Sequence, residues 1–111
     1  MADASWKSFE RRVARIFGGK RRGPDFRGAN GGKSDVIAEG WAVECKLLGR
    51  PTYGQMLAAC KQAEGYATDG QIPVAIVKRK YRDDVDAIVC MRLDVFREWF
   101  IGQYEPPEET K

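Results

Sequence analysis

The chain has no histidine and only three cysteines, Cys45, Cys60 and Cys90. The lack of histidine excludes Ser-His-Asp triads, histidine general bases and the usual zinc hydrolase sites. Three widely spaced cysteines without a CxxC pair form neither a disulfide framework nor a zinc ribbon, and we expect them to be small buried residues. Any chemistry must therefore come from carboxylates, lysine or a bound metal ion.

Long hydrophobic runs are also missing. No apolar stretch approaches the roughly 20 residues that span a bilayer, and the start MADASWKSFERR lacks the apolar region of a signal peptide. We therefore expect a cytoplasmic protein without a membrane partner. The 111 residues, 43% hydrophobic and 32% charged, are typical of one globular domain, predicted over residues 1–104 and followed by a polar tail over 105–111.

Positive charge is unevenly distributed along the chain. The net charge is only +3, but residues 1–50 carry 11 Lys and Arg against 6 Asp and Glu. This clustering indicates a polyanionic partner, although a solvated basic face gives the same pattern. The candidate phosphate contacts are Arg11, the cations Lys20, Arg21, Arg22, Arg27 and Lys33 of a basic glycine-rich loop over 18–33, and a second cluster formed by Lys78, Arg79, Lys80 and Arg82.

Hydrophobic periodicity predicts alternating helices and strands. Apolar residues recur every three or four positions over 6–17, and the Thr52/Gln55 pair has the capping-box spacing at the start of a second helix over 51–68. Strands are predicted over 35–38, 41–47, 73–78 and 87–91, the last two as central strands, and Asp94 is a candidate cap for a last helix through Phe100. This order predicts an α/β fold, with one central mixed β-sheet flanked by helices.

The first two strands form a predicted hairpin around Glu39-Gly40. Because strand side chains alternate, Glu44 and Lys46 share one face of the second strand. In a two-residue turn, positions that sum to 79 pair, so Asp35 lies opposite Glu44 with the Cβ atoms about 5 Å apart. Facing carboxylates repel each other, and a divalent cation such as Mg²⁺ removes that conflict. The alternative is a plain solvent face, because Glu-x-Lys is common.

The segment SDVIAEGWAVECK resembles the core of the PD-(D/E)XK nuclease superfamily, in which a hairpin carries an Asp and then Glu-x-Lys. The segments SWKSFERRVARIFGGKRR, GGKSDV and PVAIVKRK further resemble small phage and archaeal Holliday-junction resolvases of that superfamily. Ser34 stands where the name motif has proline. The literal Pro24-Asp25 lies ten residues too early to pair with Glu44.

The resemblance implies a restriction-endonuclease-like core, a prokaryotic or phage source, and Mg²⁺, for which Mn²⁺ can substitute. It implies that Asp35 and Glu44 bind the metal with the backbone carbonyl of Cys45, and that Lys46 is catalytic. Resolvase-like members add a glutamate from the first helix, and Glu10 matches it. Gln62 and Tyr66 have the QxxxY spacing of some exonuclease members, which makes Gln62 a candidate DNA contact, although a polar helix edge gives the same spacing.

We therefore expect a Mg²⁺-dependent DNA endonuclease, with catalytic Glu10, Asp35, Glu44 and Lys46, that acts on four-way junctions as a homodimer. Trp41, Trp99, Phe100 and Ile101 are candidates for the dimer interface, although most of them are better explained as core. The alternatives are a nuclease that cuts flaps, ends or ordinary duplex, and a non-catalytic basic DNA-binding protein.

Overall fold

A computed structural model describes residues 5–21 and 34–102. The helices are α1 (Ser5–Ile16), α2 (Tyr53–Tyr66) and α3 (Leu93–Phe96), and α3 continues as a π-helical turn over Arg97–Ile101. The strands are β1 (Lys20–Arg21), β2 (Val36–Ala38), β3 (Trp41–Leu48), β4 (Ile72–Arg79) and β5 (Ile88–Cys90), with a 3-10 turn at Asp84–Asp86 before β5. The capping box of Thr52 and Gln55 is formed at the start of α2, as predicted.

The five strands form one mixed sheet in the order β1-β2-β3-β4-β5. The pairs β1/β2, β2/β3 and β4/β5 are antiparallel, whereas β3 and β4 are parallel and α2 connects them. Two parallel strands need a crossover connection such as this helix, because a tight turn reverses the chain and can join only antiparallel strands. The predicted α/β fold with a mixed sheet is therefore confirmed.

Helices cover both faces of the sheet. Phe9 and Val13 of α1 pack with Val43, Cys45 and other residues of one face. On the opposite face, α2 packs through residues that include Ala59 and Cys60 against Ala75 and Val77 of β4. Neighbouring strand residues thus enter different cores, as strand alternation requires.

The hairpin has the predicted register. Val36 pairs with Val43, and Ala38 pairs with Trp41, so paired positions sum to 79. Gly40 closes the two-residue turn with a φ of +81°, a conformation that glycine adopts at little cost. A second glycine, Gly19, has no room for a side chain, because a Cβ there would lie 2.0 Å from the carbonyl oxygen of Ile37.

Three sequence predictions about the elements are wrong. Lys20 and Arg21, predicted as loop, form the edge strand β1, because their backbone pairs with Ile37 and Val36. β5, predicted as central, is an edge strand of three residues, and two of them are exposed. The cap of α3 is Arg92 rather than Asp94, whose carboxylate instead accepts a hydrogen bond from Arg97 at 2.7 Å.

The C-terminal aromatic residues are also more exposed than predicted. Trp41 is half-buried, and its ring makes an edge contact with Phe17 at 5.1 Å between centroids. The other three candidates for core, Trp99, Phe100 and Ile101, are exposed. Together with Val89, Leu93 and Phe96 they form a surface that we call the apolar edge, in which Val89, Leu93, Phe96 and Phe100 line a common pocket.

The thiols are unpaired, as expected. Cys45 and Cys60 are buried, and Cys90 is half-buried. No helix in the described ranges has the length and apolar character needed to cross a bilayer. Several sequence predictions lie outside the described residues, namely those for Arg22, Arg27, Lys33, Pro24-Asp25 and the tail over 105–111.

Candidate active site

The candidate site lies at the start of β2, where the neighbouring strand β3 continues past its partner. β2 begins at Val36, whereas β3 runs to Leu48. Asp35 lies just outside the paired register, because its N–H donates at 3.0 Å to the carbonyl of Val43, the residue that pairs with Val36. The predicted direct pairing of Asp35 with Glu44 is therefore not among the pairs of this hairpin. The Asp35 carboxylate turns towards β3, where Oδ2 accepts the backbone N–H of Cys45 at 2.8 Å. Asp35 is thereby held beside the stretch of β3 that carries Glu44.

Glu44 is a buried carboxylate with an incomplete set of partners. The residue is 4% exposed, and Oε2 lies 3.1 Å from the Lys46 ammonium. Oε1 is buried and has no hydrogen-bond partner among the described residues. Burial, followed by the charge of Asp35, raises the pKa of Glu44 to about 7, although Lys46 acts in the opposite direction.

Glu10 of α1 lies close enough to Asp35 and Lys46 to interact with their charges. Its side chain is buried, and Oε1 accepts a hydrogen bond from Nε of Arg21 at 2.7 Å. Burial and the charge of Asp35 raise the pKa of Glu10, whereas Arg21 and Lys46 lower it. Arg21 in turn lies over the ring of Trp6, 5.3 Å from its centroid. The sequence prediction that Glu10 reaches the sheet rather than solvent is confirmed.

The three acids fit a hard cation by donor type, but each is held by another group. Among residues 5–21 and 34–102, no three His, Cys, Asp or Glu side chains are arranged to hold a metal ion. Glu10 binds Arg21, Asp35 binds a backbone N–H, and Glu44 contacts Lys46. Oxygen donors are nevertheless what Mg²⁺ prefers, and the buried Oε1 of Glu44 lacks a hydrogen-bond partner in the described part of the chain. Only Oε1 of Glu10 is bonded to Arg21, so a cation ligated by Glu10 would share that carboxylate with the guanidinium.

Cys45 separates the two functional positions of β3 and faces the opposite way. Its side chain packs in the core beneath α1, as alternation predicts. Burial and the neighbouring carboxylates raise the pKa of the Cys45 thiol, which therefore stays protonated at neutral pH. Only its backbone serves the site, where the N–H holds Asp35.

The predicted DNA contacts differ in exposure. Lys20, Arg79 and Lys80 are exposed, although Nε of Arg79 donates to the carbonyl of Gly49 at 3.1 Å. Arg11 is half-buried and Arg21 is bonded to Glu10. Gln62 is exposed on α2, and Tyr66 at the end of that helix is half-buried.

Lys78 is the predicted contact whose surroundings differ most from the expectation. It is 8% exposed, and its ammonium lies 2.7 Å from Oδ1 of Asp84 and 5.2 Å from the centroid of the Phe9 ring. Asp84 also accepts two hydrogen bonds from Arg12 of α1, which hold the pKa of Asp84 below its usual value. Sequence reasoning missed this network. No local spacing signals it, since Arg12 and Asp84 are 72 positions apart.

Comparisons of the chain with protein-family models, with curated proteins and with solved structures give no match. Functional assignment therefore rests on the residues themselves. They provide three acids and one lysine around the start of β2 and the middle of β3, together with exposed basic residues on the same domain.

Proposed function

We propose that the protein is a Mg²⁺-dependent DNA endonuclease with a PD-(D/E)XK-like site formed by Glu10, Asp35, Glu44 and Lys46. The observation that carries the proposal is the buried Glu44 carboxylate, which keeps one oxygen without a partner in the described structure while Asp35 lies nearby. A carboxylate in such surroundings costs free energy unless a cation neutralises it. A purely structural position gains nothing from this arrangement.

Asp35 and Glu44 would hold the cation, and the carbonyl of Cys45 and the carboxylate of Glu10 complete the set of oxygen donors. A bound Mg²⁺ supplies positive charge for the phosphate oxygens during hydrolysis. The N–H of Cys45 fixes the Asp35 carboxylate, so this ligand is oriented before any substrate binds.

Lys46 is the group we assign to the scissile phosphate. Its ammonium is one-third exposed and touches the Glu44 carboxylate, so it can reach solvent and the acids at once. Placed there, an ammonium stabilises the negative charge that develops on the phosphate, or it orients the attacking water.

The substrate we propose is DNA, in particular a four-way junction. The exposed cations Lys20, Arg79 and Lys80 provide contacts to a phosphate backbone without reading base sequence. A junction presents two scissile strands related by approximate two-fold symmetry, which a homodimer matches.

The second copy in this proposal occupies the apolar edge. Its members are between 37% and 80% exposed, which is unusual for so many large apolar side chains on one surface. β5 lies at the end of the sheet, and no described strand pairs with its outer side. An antiparallel pair of β5 strands from two copies would bond these backbone groups and bury the apolar side chains together.

The ion pairs of the site favour a second candidate, a DNA-binding protein without catalysis. Glu10 is satisfied by Arg21, and Glu44 is partly satisfied by Lys46, so the acids also have a structural reading. A binder gains little from acids beside phosphate, however, because like charges repel. For this reason we prefer the nuclease.

A cleavage assay separates the candidates. Purified protein is incubated with Mg²⁺ or with a chelator, on four-way, flap, linear duplex and single-stranded DNA of matched sequence. We expect cutting only with Mg²⁺ and fastest on the four-way junction, with Asp35→Asn and Glu44→Gln inactive but still able to bind DNA. Preferred cutting of flaps or duplex would assign a different nuclease class.

A thermal shift with Mg²⁺ gives a readout that does not depend on activity. Mg²⁺ should raise the melting temperature of the wild type more than that of Glu44→Gln, because a ligand that binds the folded state stabilises it. Glu39→Gln, which changes an exposed acid in the hairpin turn, is the matched control. DNA binding without Mg²⁺-dependent cutting and without this shift would establish the non-catalytic reading.

A further inference from the structure

A cationic cleft lies beside the candidate active site, between the first turns of α1 and the end of β4. Its volume is about 670 Å³, within the range of pockets that hold small organic ligands. The residues that give it chemical character are two aromatics and four cations, namely Trp6, Tyr81, Arg12, Lys78, Lys80 and Arg82. No acidic residue is among its described lining residues, so the cleft suits an anionic ligand.

Tyr81 has a backbone conformation that its residue type disfavours. Its φ is +69°, and it is the only residue other than glycine with a positive φ in the described ranges. Its side chain is fully exposed, so no packing compensates for the strain. Glycine would adopt this conformation more readily, and folding alone therefore gives no reason for tyrosine here. A strained, exposed aromatic residue in a cleft points instead to a ligand that contacts its ring.

The positive charges near Tyr81 indicate that such a ligand also carries an anionic group. Lys80 and Arg82 flank it in sequence and are exposed. Arg12 and Lys78 are fixed by their common partner Asp84, one carboxylate for two cations. The exposed cations Lys80 and Arg82 thus stand on both sides of Tyr81 in the chain, a combination that fits a phosphate joined to a flat base.

Trp6 connects the cleft to the carboxylates of the candidate active site through Arg21. Trp6 lines the cleft and is 48% exposed, and its ring contacts the guanidinium of Arg21. Arg21 holds Glu10 of the candidate active site at 2.7 Å. A strand bound at the cleft is therefore adjacent to Arg21, the partner of Glu10.

We infer that the cleft binds an unpaired nucleotide of the DNA substrate, with its base against the ring of Tyr81 and its phosphate among the cations. The inference rests on the proposed function for the identity of the ligand as DNA. Bases inside a regular duplex are stacked on each other and do not offer a face to Tyr81, whereas nucleotides at a branch or flap do. The cleft therefore gives the protein a preference for DNA with unpaired nucleotides.

The test measures binding in a chelator, where cleavage plays no part. Fluorescence anisotropy compares a duplex with a short thymidine flap and the same flap made of abasic residues, which keep the sugar and phosphate. The wild type should bind the thymidine flap roughly 5- to 100-fold more tightly, the range expected for base stacking on an aromatic ring. Equal affinity for the two flaps would overturn the inference.

Two substitutions separate stacking from folding. Tyr81→Gly removes the ring and suits the backbone, so it should abolish the preference for the thymidine flap while the melting temperature stays equal or rises. Tyr81→Phe keeps the ring and should retain the preference. Tyr53→Ala, at an exposed tyrosine on α2 that does not line the cleft, is the matched control. A preference that persists in Tyr81→Gly would overturn the inference.

The two proposals fail in different ways. Mg²⁺-dependent cleavage by a protein that binds both flaps equally would remove only the nucleotide site. A clear thymidine preference in a protein that never cuts DNA would remove only the nuclease assignment.

Discussion

Asp35 immediately precedes β2, Glu44 lies on β3 of the same hairpin, and the charge of Asp35 contributes to the raised pKa of Glu44. Asp35 lies one position beyond the last paired residues of the hairpin, and its carboxylate is bonded to the backbone N–H that follows Glu44. The carboxylate of Asp35 is thus held close to Glu44, which is buried.

Glu44→Gln should stabilise the metal-free protein at neutral pH while it removes nuclease activity. The Glu44 carboxyl keeps its proton up to about pH 7 in the folded state but loses it near 4.5 when unfolded. The folded state therefore binds more protons between these values, and the free energy of unfolding falls as pH rises from about 4.5 to about 7. The glutamine of Glu44→Gln does not ionise, so this fall in the free energy of unfolding is absent from the variant.

Urea unfolding in a chelator measures this effect. The gain from Glu44→Gln should be near zero at pH 4 and roughly 3 kcal/mol at pH 8, from the size of the shift. Glu39→Gln, in the exposed turn, should show neither change. The same pH dependence in wild type and Glu44→Gln would contradict the prediction.

Lys46→Ala should reduce the rate of DNA cleavage about 100-fold or more, the usual cost of losing a donor that stabilises transition-state charge. DNA affinity in a chelator should change little, because one lysine that is one-third exposed is a small part of a phosphate-binding surface. Single-turnover kinetics and anisotropy measure the two quantities. Lys61→Ala, an exposed lysine on α2, is the control, and a parallel loss of binding and cleavage would assign Lys46 to DNA binding alone.

Arg21→Ala should destabilise the fold by roughly 3 kcal/mol, because it leaves the buried Glu10 carboxylate without its partner. Adding Glu10→Gln should restore much of that loss, since the uncompensated charge is then gone. Urea unfolding of both single variants and the double variant gives the coupling free energy. Arg15→Ala, exposed at the end of α1, is the control; a loss equal to that of Arg15→Ala would show that the Glu10 pair contributes little.

Val89→Glu should abolish the proposed dimer without unfolding the monomer. Val89 is 66% exposed on β5, so the new carboxylate stays in water in the monomer but meets its own copy across a two-fold interface. Sedimentation velocity measures the change in mass. Val85→Glu, at an 89% exposed position in the turn before β5, should leave the dimer intact, and a wild type that remains monomeric at high concentration would remove the dimer from the proposal.

Local patterns predicted the parts of the site that depend on local geometry. Alternation along β3 and the turn at Gly40 were sufficient for the hairpin register, because a two-residue turn fixes which residues face each other. The capping box of α2 was readable for the same reason, since both partners lie within four residues.

Contacts between distant segments could not be read in this way. Arg21 occupies a two-residue strand, too short for any periodicity, and its bond to Glu10 depends on how α1 packs. Arg12 and Asp84 come together only when the sheet forms. The apolar run of β5 predicts a central strand, but an edge strand with exposed apolar side chains has the same sequence pattern.

Gly19 has a consequence for how variation can accumulate in this protein. The helix with Glu10 and the hairpin with Asp35 and Glu44 meet at a point where the backbone of Gly19 touches that of Ile37, and even a methyl group would collide there. Any replacement at position 19 would displace α1 from the hairpin and so misalign acids that it does not itself contact. We expect a survey of random substitutions to find that Gly19 tolerates replacement as poorly as the acidic residues do, although glycine has no reactive side chain.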